Sequence, residues 1–115
     1  MPVKLALVVR TDLGMSKGKI AAQTAHAAVA AVLGNQGSVV FARWLHEGQP
    51  KIVLRVTGED QLRDVCDAAG SAGLPVEVVL DAGRTQVAAG TATCCAIGPG
   101  VADDIDRVVG TLPLL

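Results

Sequence analysis

The chain has 115 residues, of which half are hydrophobic, and a formal net charge of −1. This length suits one domain with a substantial core and excludes two. With one Phe, one Trp and no Tyr, the core must consist mainly of Ala, Val, Leu and Ile.

The sequence predicts neither a membrane span nor a secretion signal. The apolar stretch 20–33 is interrupted by Gln23, Thr24 and His26 and is shorter than the roughly 20 residues that cross a bilayer. Residues 1–9 lack the cleavage region of a signal peptide. The three cysteines have no CxxC spacing, so we expect buried thiols in a reducing compartment and a cytoplasmic protein.

Strand and helix signals alternate along the first half. Residues 4–10 are rich in Val and Leu, which is typical of a strand buried on both faces. After a polar loop, Ser16 is a suitable N-cap for a helix that reaches Leu33 and ends at Gly34. Residues 39–46 predict a shorter helix and residues 51–56 a second strand.

The second half continues this alternation. Its predicted elements are a helix over 58–72, strands over 76–80 and 91–97, a sharp break at 98–100 and a helix over 102–109. The order predicts an α/β fold, with residues 1–115 as one domain. We expect a three-layer sandwich in which a four-stranded, mostly parallel mixed sheet carries helices on both faces. The last two strands have no helix between them, so one pair is expected to be antiparallel.

The first helix presents one polar stripe. At about 100° per residue, Lys19, Gln23, His26 and Ala30 share one side of a helix otherwise rich in Ala, Ile and Val. We expect this helix to be buried on most sides and the stripe to line a cleft.

Two lysines lie in the first turn of that helix. The helix dipole disfavours Lys17 and Lys19 there by on the order of 0.3–1 kcal/mol each, so a phosphate or a developing oxyanion would suit this position. Alternatively, both ammonium groups extend into water. His26 is either part of the site or a hydrogen-bonded core residue.

Nucleotide motifs and metal sites are excluded by spacing. Residues 14–20 contain three rather than four residues between the first glycine and Gly18-Lys19, and Ile20 stands where a P-loop has Ser or Thr. The chain has no GxGxxG, and no His, Cys and Asp cluster has ligand spacing. We expect neither a metal nor a cofactor.

A polar block begins directly after the third predicted strand. Asp81 is followed by Arg84, Thr85 and Gln86, at the kind of strand end where ligands bind in open α/β sheets. Lys19 or Arg84 nearby would keep Asp81 ionised. Alternatively, Asp81 and Arg84 only close a turn. Thr93 in the next strand could face the same cleft.

The charges are distributed unevenly. Residues 1–56 carry a net charge of +5 and residues 57–115 a net charge of −6. The first half could supply the positive potential that nucleic-acid phosphates require. Alternatively, the two halves mix their charges once the chain folds.

Short motifs follow one another in a fixed order through the chain. They are VVRTDL at 8–13, MSKGKIAAQ at 15–23, AHA at 25–27, WL at 44–45, EGQ at 47–49, KIV at 51–53, AGLP at 72–75, DAGRTQ at 81–86, GT at 90–91 with Thr93, and AIGP at 96–99. In this order they resemble the second type of peptidyl-tRNA hydrolase, which is found in archaea and eukaryotes.

The resemblance implies a translation enzyme, commonly a homodimer, that needs no cofactor. Its reaction is hydrolysis of the ester that joins a stalled peptide to the 3′-terminal ribose of tRNA. The implied catalytic group matches Lys19, Asp81 and Thr85, with Gln23, His26 and Arg84 close by. We expect Asp81, with Thr85, to orient the attacking water and Lys19 to stabilise the oxyanion or the leaving oxygen; His26 as the base is the alternative.

The residues expected to position or bind the substrate are Gln23, His26, Arg84 and Thr93 around the ester, and Arg10, Lys17, Arg84 and Gln86 on the tRNA. The chain departs from the family pattern at two positions. Gly14 replaces the usual lysine and Ser16 the usual glycine, which predicts weaker tRNA contact but not lost chemistry. The rival hypotheses are a binding or adaptor module without ester cleavage, and a hydrolase for another substrate such as D-aminoacyl-tRNA.

Overall fold

The computed structural model describes residues 1–84 and 86–115 of the chain. The elements are β1 Val3–Arg10, α1 Lys17–Gly34, α2 Val39–His46, β2 Lys51–Val56, α3 Glu59–Ser71, β3 Val76–Leu80, β4 Ala92–Val101 and α4 Ala102–Val109. The predicted bounds of α2, β2, β3 and α4 are confirmed. No helix in these described ranges is long and apolar enough to cross a membrane.

The four strands form one mixed sheet in the order β2-β1-β4-β3. β1 pairs with β2 in parallel, while β4 pairs antiparallel with both β1 and β3. The mixed sheet is therefore confirmed, but one strand pair is parallel and not most of them. Because β4 alone runs in the opposite direction, the carboxyl ends of β1 and β3 and the start of β4 meet at one end of the sheet.

Two hydrophobic clusters confirm the three layers. On one face, α1 and α2 cover alternate residues of the central strands, with Trp44 and Phe41 as the aromatic side chains. On the other face, α3 and α4 pack through Leu62 and Ile105 against the intervening strand residues. The two-residue alternation of each strand therefore supplies both cores.

Strand β4 continues through the segment at 98–100, where the sequence predicted a break. Lys4 is paired with Gly100 and Ala6 with Ile97, so two residues of β4 lie opposite one residue of β1. This bulge accommodates Pro99, which cannot donate a ladder hydrogen bond, and the positive φ of Gly98. Gly-Pro therefore bends the strand without ending it.

Helix α1 is less buried than its composition predicted. Its buried residues are Gln23, Ala27 and Ala31, one turn apart on the side that faces the sheet. On the opposite side, Val29 is 57% exposed and Leu33 is 66% exposed. The helix is covered on one side only because no further layer of the described chain lies outside it.

A pair of Leu→Ala variants tests this layering. Leu62 in α3 is 2% exposed, so Leu62→Ala should lower the free energy of unfolding by about 2–5 kcal/mol. Leu33→Ala, at the exposed position in α1, should change it by less than about 0.5 kcal/mol. Urea unfolding followed by circular dichroism measures both. Equal losses would contradict the assignment of the two positions.

Candidate functional site

The ion pair between Lys19 and Asp81 is the centre of the site. Lys19 lies in the first turn of α1, and Asp81 directly follows β3. Lys19 Nζ donates to Asp81 Oδ1 at 2.5 Å, and the two side chains are only 11% and 3% exposed. The start of the first helix and the end of the third strand therefore converge, as the sequence predicted.

The backbone around Asp81 fixes its carboxylate. The Gly83 N–H donates to Asp81 Oδ2 at 2.7 Å, so each carboxylate oxygen has its own donor. The main chain of Asp81 pairs with Thr91 and Gly90 at 2.8 Å in each case. The Lys19 ammonium and then the Gly83 N–H lower the pKa of Asp81 and outweigh the effect of burial. Asp81 is thus a weakly basic carboxylate that stays ionised at neutral pH.

A buried amide completes the contacts of Asp81 and is itself held by a buried hydroxyl. Gln23 Nε2 donates to Thr93 Oγ1 at 2.8 Å and lies 3.4 Å from Asp81 Oδ1. Gln23 is 7% exposed and Thr93 is fully buried. α1 therefore contacts the end of the sheet through two side chains one turn apart, Lys19 and Gln23.

A β-bulge directs Thr93 toward α1. Val79 is paired with Cys94 and Leu80 with Ala92, which leaves Thr93 as the extra residue of β4. In a regular strand, Thr93 and Cys94 would point to opposite faces. Here both contact Gln23, because Cys94 Sγ donates to the Gln23 carbonyl at 3.4 Å. Bulges redirect side chains near functional sites in this way.

The Arg10 side chain has three hydrogen bonds within the protein. Its side chain is largely buried, with Nε and Nη2 donating to the two Asp12 oxygens at 3.0 and 2.7 Å. Nη1 donates to the carbonyl of Ala92, next to the bulge, at 3.0 Å. The guanidinium is therefore engaged within the protein and joins the end of β1 to the start of β4. Its contact with a tRNA phosphate stays a prediction.

Ser16 and Gln86 connect the helix start to the loop after β3. Ser16 is the N-cap, and its Oγ accepts from the Lys19 N–H at 3.1 Å. The Ser16 N–H donates to Gln86 Oε1 at 2.8 Å, and Gln86 Nε2 donates to Ser16 Oγ at 2.9 Å. Ser16, a departure from the family pattern, thus fixes Gln86 beside the first turn.

The remaining expected residues lie around this centre. Lys17 and Arg84 are exposed. His26 is also exposed and lies seven residues after Lys19, about 10 Å further along the helix axis. His26 is thus not a core residue. Thr85, expected to be catalytic, lies outside the described residues. Across ranges 1–84 and 86–115, no three His, Cys, Asp or Glu residues form a group that could hold a metal ion.

Comparison with known proteins identifies the family of the chain. The family model for peptidyl-tRNA hydrolase PTH2 matches residues 3–115. The chain belongs to the PTH2 family. It is 51% identical to a peptidyl-tRNA hydrolase of Metallosphaera sedula, over 98% of this chain and all of that protein.

Two further relatives extend the range of organisms. The chain is 44% identical to a peptidyl-tRNA hydrolase of Methanocaldococcus jannaschii, over 98% of this chain and all of that protein. It is 46% identical to the Bos taurus protein named peptidyl-tRNA hydrolase 2, mitochondrial, over 96% of this chain and 63% of the bovine protein.

Sequence reasoning missed two members of this PTH2 site and the bulge that directs a third, Thr93, which it expected to face the cleft. The Gly83 N–H is a backbone donor and has no side-chain signal. Asp12 accepts two hydrogen bonds from the Arg10 guanidinium. Its position two residues after Arg10, at the end of β1, could have indicated this ion pair. The direction of Thr93 depends on a bulge that requires the register of β3 against β4.

Acidification should weaken the contribution of Asp81 to stability. Its pKa in the folded protein is below the ordinary value of 3.8. The ionised form therefore stabilises the fold above about pH 4, and that contribution is lost as the pH falls toward the folded pKa. The gap in unfolding free energy between the wild-type chain and Asp81→Asn should shrink between pH 5 and about pH 2. Urea unfolding across this range measures it.

The control for losing one carboxylate is Asp64→Asn, on the exposed side of α3. A wild-type to Asp81→Asn gap that stays constant from neutral to acidic pH would contradict the ion pair as the source of stabilisation.

Proposed function

We propose that this chain hydrolyses the ester bond of peptidyl-tRNA and releases the peptide and free tRNA. The observation that carries the proposal is the Lys19–Asp81 pair at the first turn of α1, in a member of the PTH2 family. The relatives matched over nearly the whole chain carry this activity in their names.

Asp81 positions the attacking water in this proposal. A carboxylate with a lowered pKa is a poor proton acceptor, but it stays ionised and accepts a hydrogen bond from water, so it suits orienting a water molecule. Gln23, which donates to Thr93, also lies against the Asp81 carboxylate from α1. Thr85 is proposed as a partner of Asp81 from its family position alone.

Lys19 stabilises the negative charge that develops on the ester. Its ammonium has three donor positions, and one of them is on Asp81. A donor fixed in a largely buried place favours an oxyanion more than a hydrated lysine would. The two partners of the ion pair therefore have different proposed roles. Asp81 orients the water, and Lys19 stabilises the charge on the carbonyl or leaving oxygen.

The charges of the helices indicate which face meets the tRNA. Helices α1 and α2 contain three Lys or Arg residues and no Asp or Glu. Helices α3 and α4 contain seven Asp or Glu and two Arg. The helix charges of opposite sign thus lie on opposite faces of the sheet. The phosphates should approach the α1 side, where Lys17 and Arg84 are exposed and the first-turn N–H groups point outward.

His26 and Gln86 have supporting positions in this proposal. His26 lies two turns from Lys19 and is exposed, so it suits contact with the substrate better than proton transfer at the ester. Gln86 holds the N-cap residue and places the loop beside the helix start. The homodimer and the cytoplasmic location stay predictions, for which light scattering and cell fractionation are the measurements.

Replacing Asp81 tests the chemistry. Asp81→Asn should lower kcat on N-acetyl-aminoacyl-tRNA by at least about 100-fold, because the amide cannot accept from water as a carboxylate does. Circular dichroism should show a folded protein, and Asp64→Asn is the control with unaltered turnover. Wild-type turnover in Asp81→Asn would overturn the assigned role.

The substrate class is tested with the wild-type chain on three tRNAs. N-acetyl-aminoacyl-tRNA should be cleaved, while free L-aminoacyl-tRNA and D-aminoacyl-tRNA should not be. Cleavage of the D-aminoacyl ester alone would support the other hydrolase. Salt-sensitive tRNA binding without any cleavage would support a binding module.

Replacing Lys17 tests the tRNA face. Lys17→Ala should raise KM with little change in kcat and reduce the slope of log binding constant against log salt by about one. The matched control is Lys51→Ala, since Lys51 is exposed at the start of β2 and thus at the other end of the sheet. Equal effects of the two variants would contradict this placement.

A further inference from the structure

The two edges of the sheet differ in how they are covered. The outer edge of β2 is paired with the chain's own C-terminus, because Leu54 bridges Leu114 and the Leu115 N–H donates to the Val53 carbonyl at 3.0 Å. Within residues 1–84 and 86–115, β4 is the strand that pairs with β3, and it lies on one side only. The other side of β3 is an open strand edge.

The direction of the backbone groups follows from the contacts at each end of β3. The Gly98 N–H donates to the Pro75 carbonyl, and the Asp81 N–H donates to the Thr91 carbonyl. Positions 75 and 81 therefore face β4. Because alternate residues of a strand face the same edge, Val76, Val78 and Leu80 direct their N–H and C=O groups outward.

The surface beside this edge has room for apolar side chains. Val78 is 46% exposed and Leu80 is 59% exposed. A cavity of about 200 Å³ lies between β3 and α3, with Leu62, Cys66 and Val78 among its lining residues. The cavity is also lined by the charged residues Glu59, Arg63 and Asp67. The open edge thus offers main-chain groups beside a groove with both apolar and charged lining.

The open edge leads directly into the proposed site. β3 ends at Leu80, and Asp81 is the next residue. We propose that the peptide part of the substrate lies as an extended strand along the outer edge of β3. This inference rests on the proposed function, since it names where the esterified peptide lies.

The chemistry of the substrate fixes the direction of that strand. The C-terminal carbonyl of the peptide belongs to the ester and lies beside Asp81, so its N-terminus extends toward Val76. The peptide therefore runs parallel to β3. An enzyme for stalled peptides meets many sequences, and main-chain pairing to a strand edge binds a peptide without selecting its side chains.

The length of β3 limits how much peptide can pair. Five residues at about 3.3 Å each give an edge of about 16 Å. The benefit of a longer peptide should therefore increase over the first four or five residues and then stop.

Kinetics with peptides of different lengths tests this inference. tRNAs that carry N-acetylated peptides of one, three, five and eight residues are compared by kcat/KM with the wild-type chain. We expect a rise of about tenfold from one to five residues and no further rise to eight. Equal values for all four would overturn the inference. Failure to cleave any of them would overturn the proposed function instead.

Two substitutions at position 78 distinguish the contribution of the backbone N–H to peptide binding from that of the side chain. Val78→Pro removes the outward N–H, and proline is tolerated where an edge N–H faces solvent. It should lower the ratio of kcat/KM for five residues over one by at least about twofold, the contribution of one lost hydrogen bond. Val78→Thr keeps the N–H and the β-branched shape and should keep the ratio. A ratio that persists in Val78→Pro would overturn the pairing.

Hydrogen exchange gives a readout that needs no substitution. The probe is a pentapeptide joined by an amide to 3′-amino-3′-deoxyadenosine. At millimolar probe, exchange of the Val76, Val78 and Leu80 amides should slow by more than tenfold, while Glu77 and Val79, which face β4, should not change. No slowing would overturn the inference. Slowing that grows with protein concentration without the probe would assign the edge to a second copy and would also overturn it.

Discussion

The ion pair between Lys19 and Asp81 is the contact on which the rest of the site depends. It joins α1 to the end of β3, with both side chains largely removed from water. Burying two charges is costly, and losing one partner leaves the other uncompensated. The surrounding donors reduce that cost, since Gly83 and Gln23 also face the Asp81 carboxylate. These donors hold the Asp81 carboxylate in place, and the Lys19 ammonium together with the Gly83 N–H keeps its pKa low.

The fold separates the requirements of the proposed reaction. The α1 and α2 face is basic, and the α3 and α4 face is acidic. A polyanion is therefore attracted to one face only. The edge of β3 lies between these faces and offers neutral main-chain groups. One small domain can thus bind a nucleic acid and an uncharged extended chain at adjacent surfaces that meet at Asp81.

Much of the fold could be predicted because local signals were strong. Strands of Val, Leu and Ile between Gly or Pro residues gave the exact bounds of β2 and β3, and Ser16 was correctly identified as an N-cap. The prediction was wrong at Pro99. Gly-Pro-Gly usually ends a strand, but here a bulge lets β4 continue through it. The predicted burial of α1 was also wrong. Composition alone does not distinguish an Ala-rich helix that packs on one side from one that is buried on several sides.

The sequence by itself determined the element order and the family, because these follow from local patterns and motif order. It left open whether Lys19 or Arg84 pairs with Asp81, and the tertiary structure shows Lys19. Only the tertiary structure decided the environment of Thr93, the internal partners of Arg10 and the open edge of β3. Each of these depends on strand register or strand order. Register and order arise from contacts between residues far apart in the chain, and no local pattern contains them.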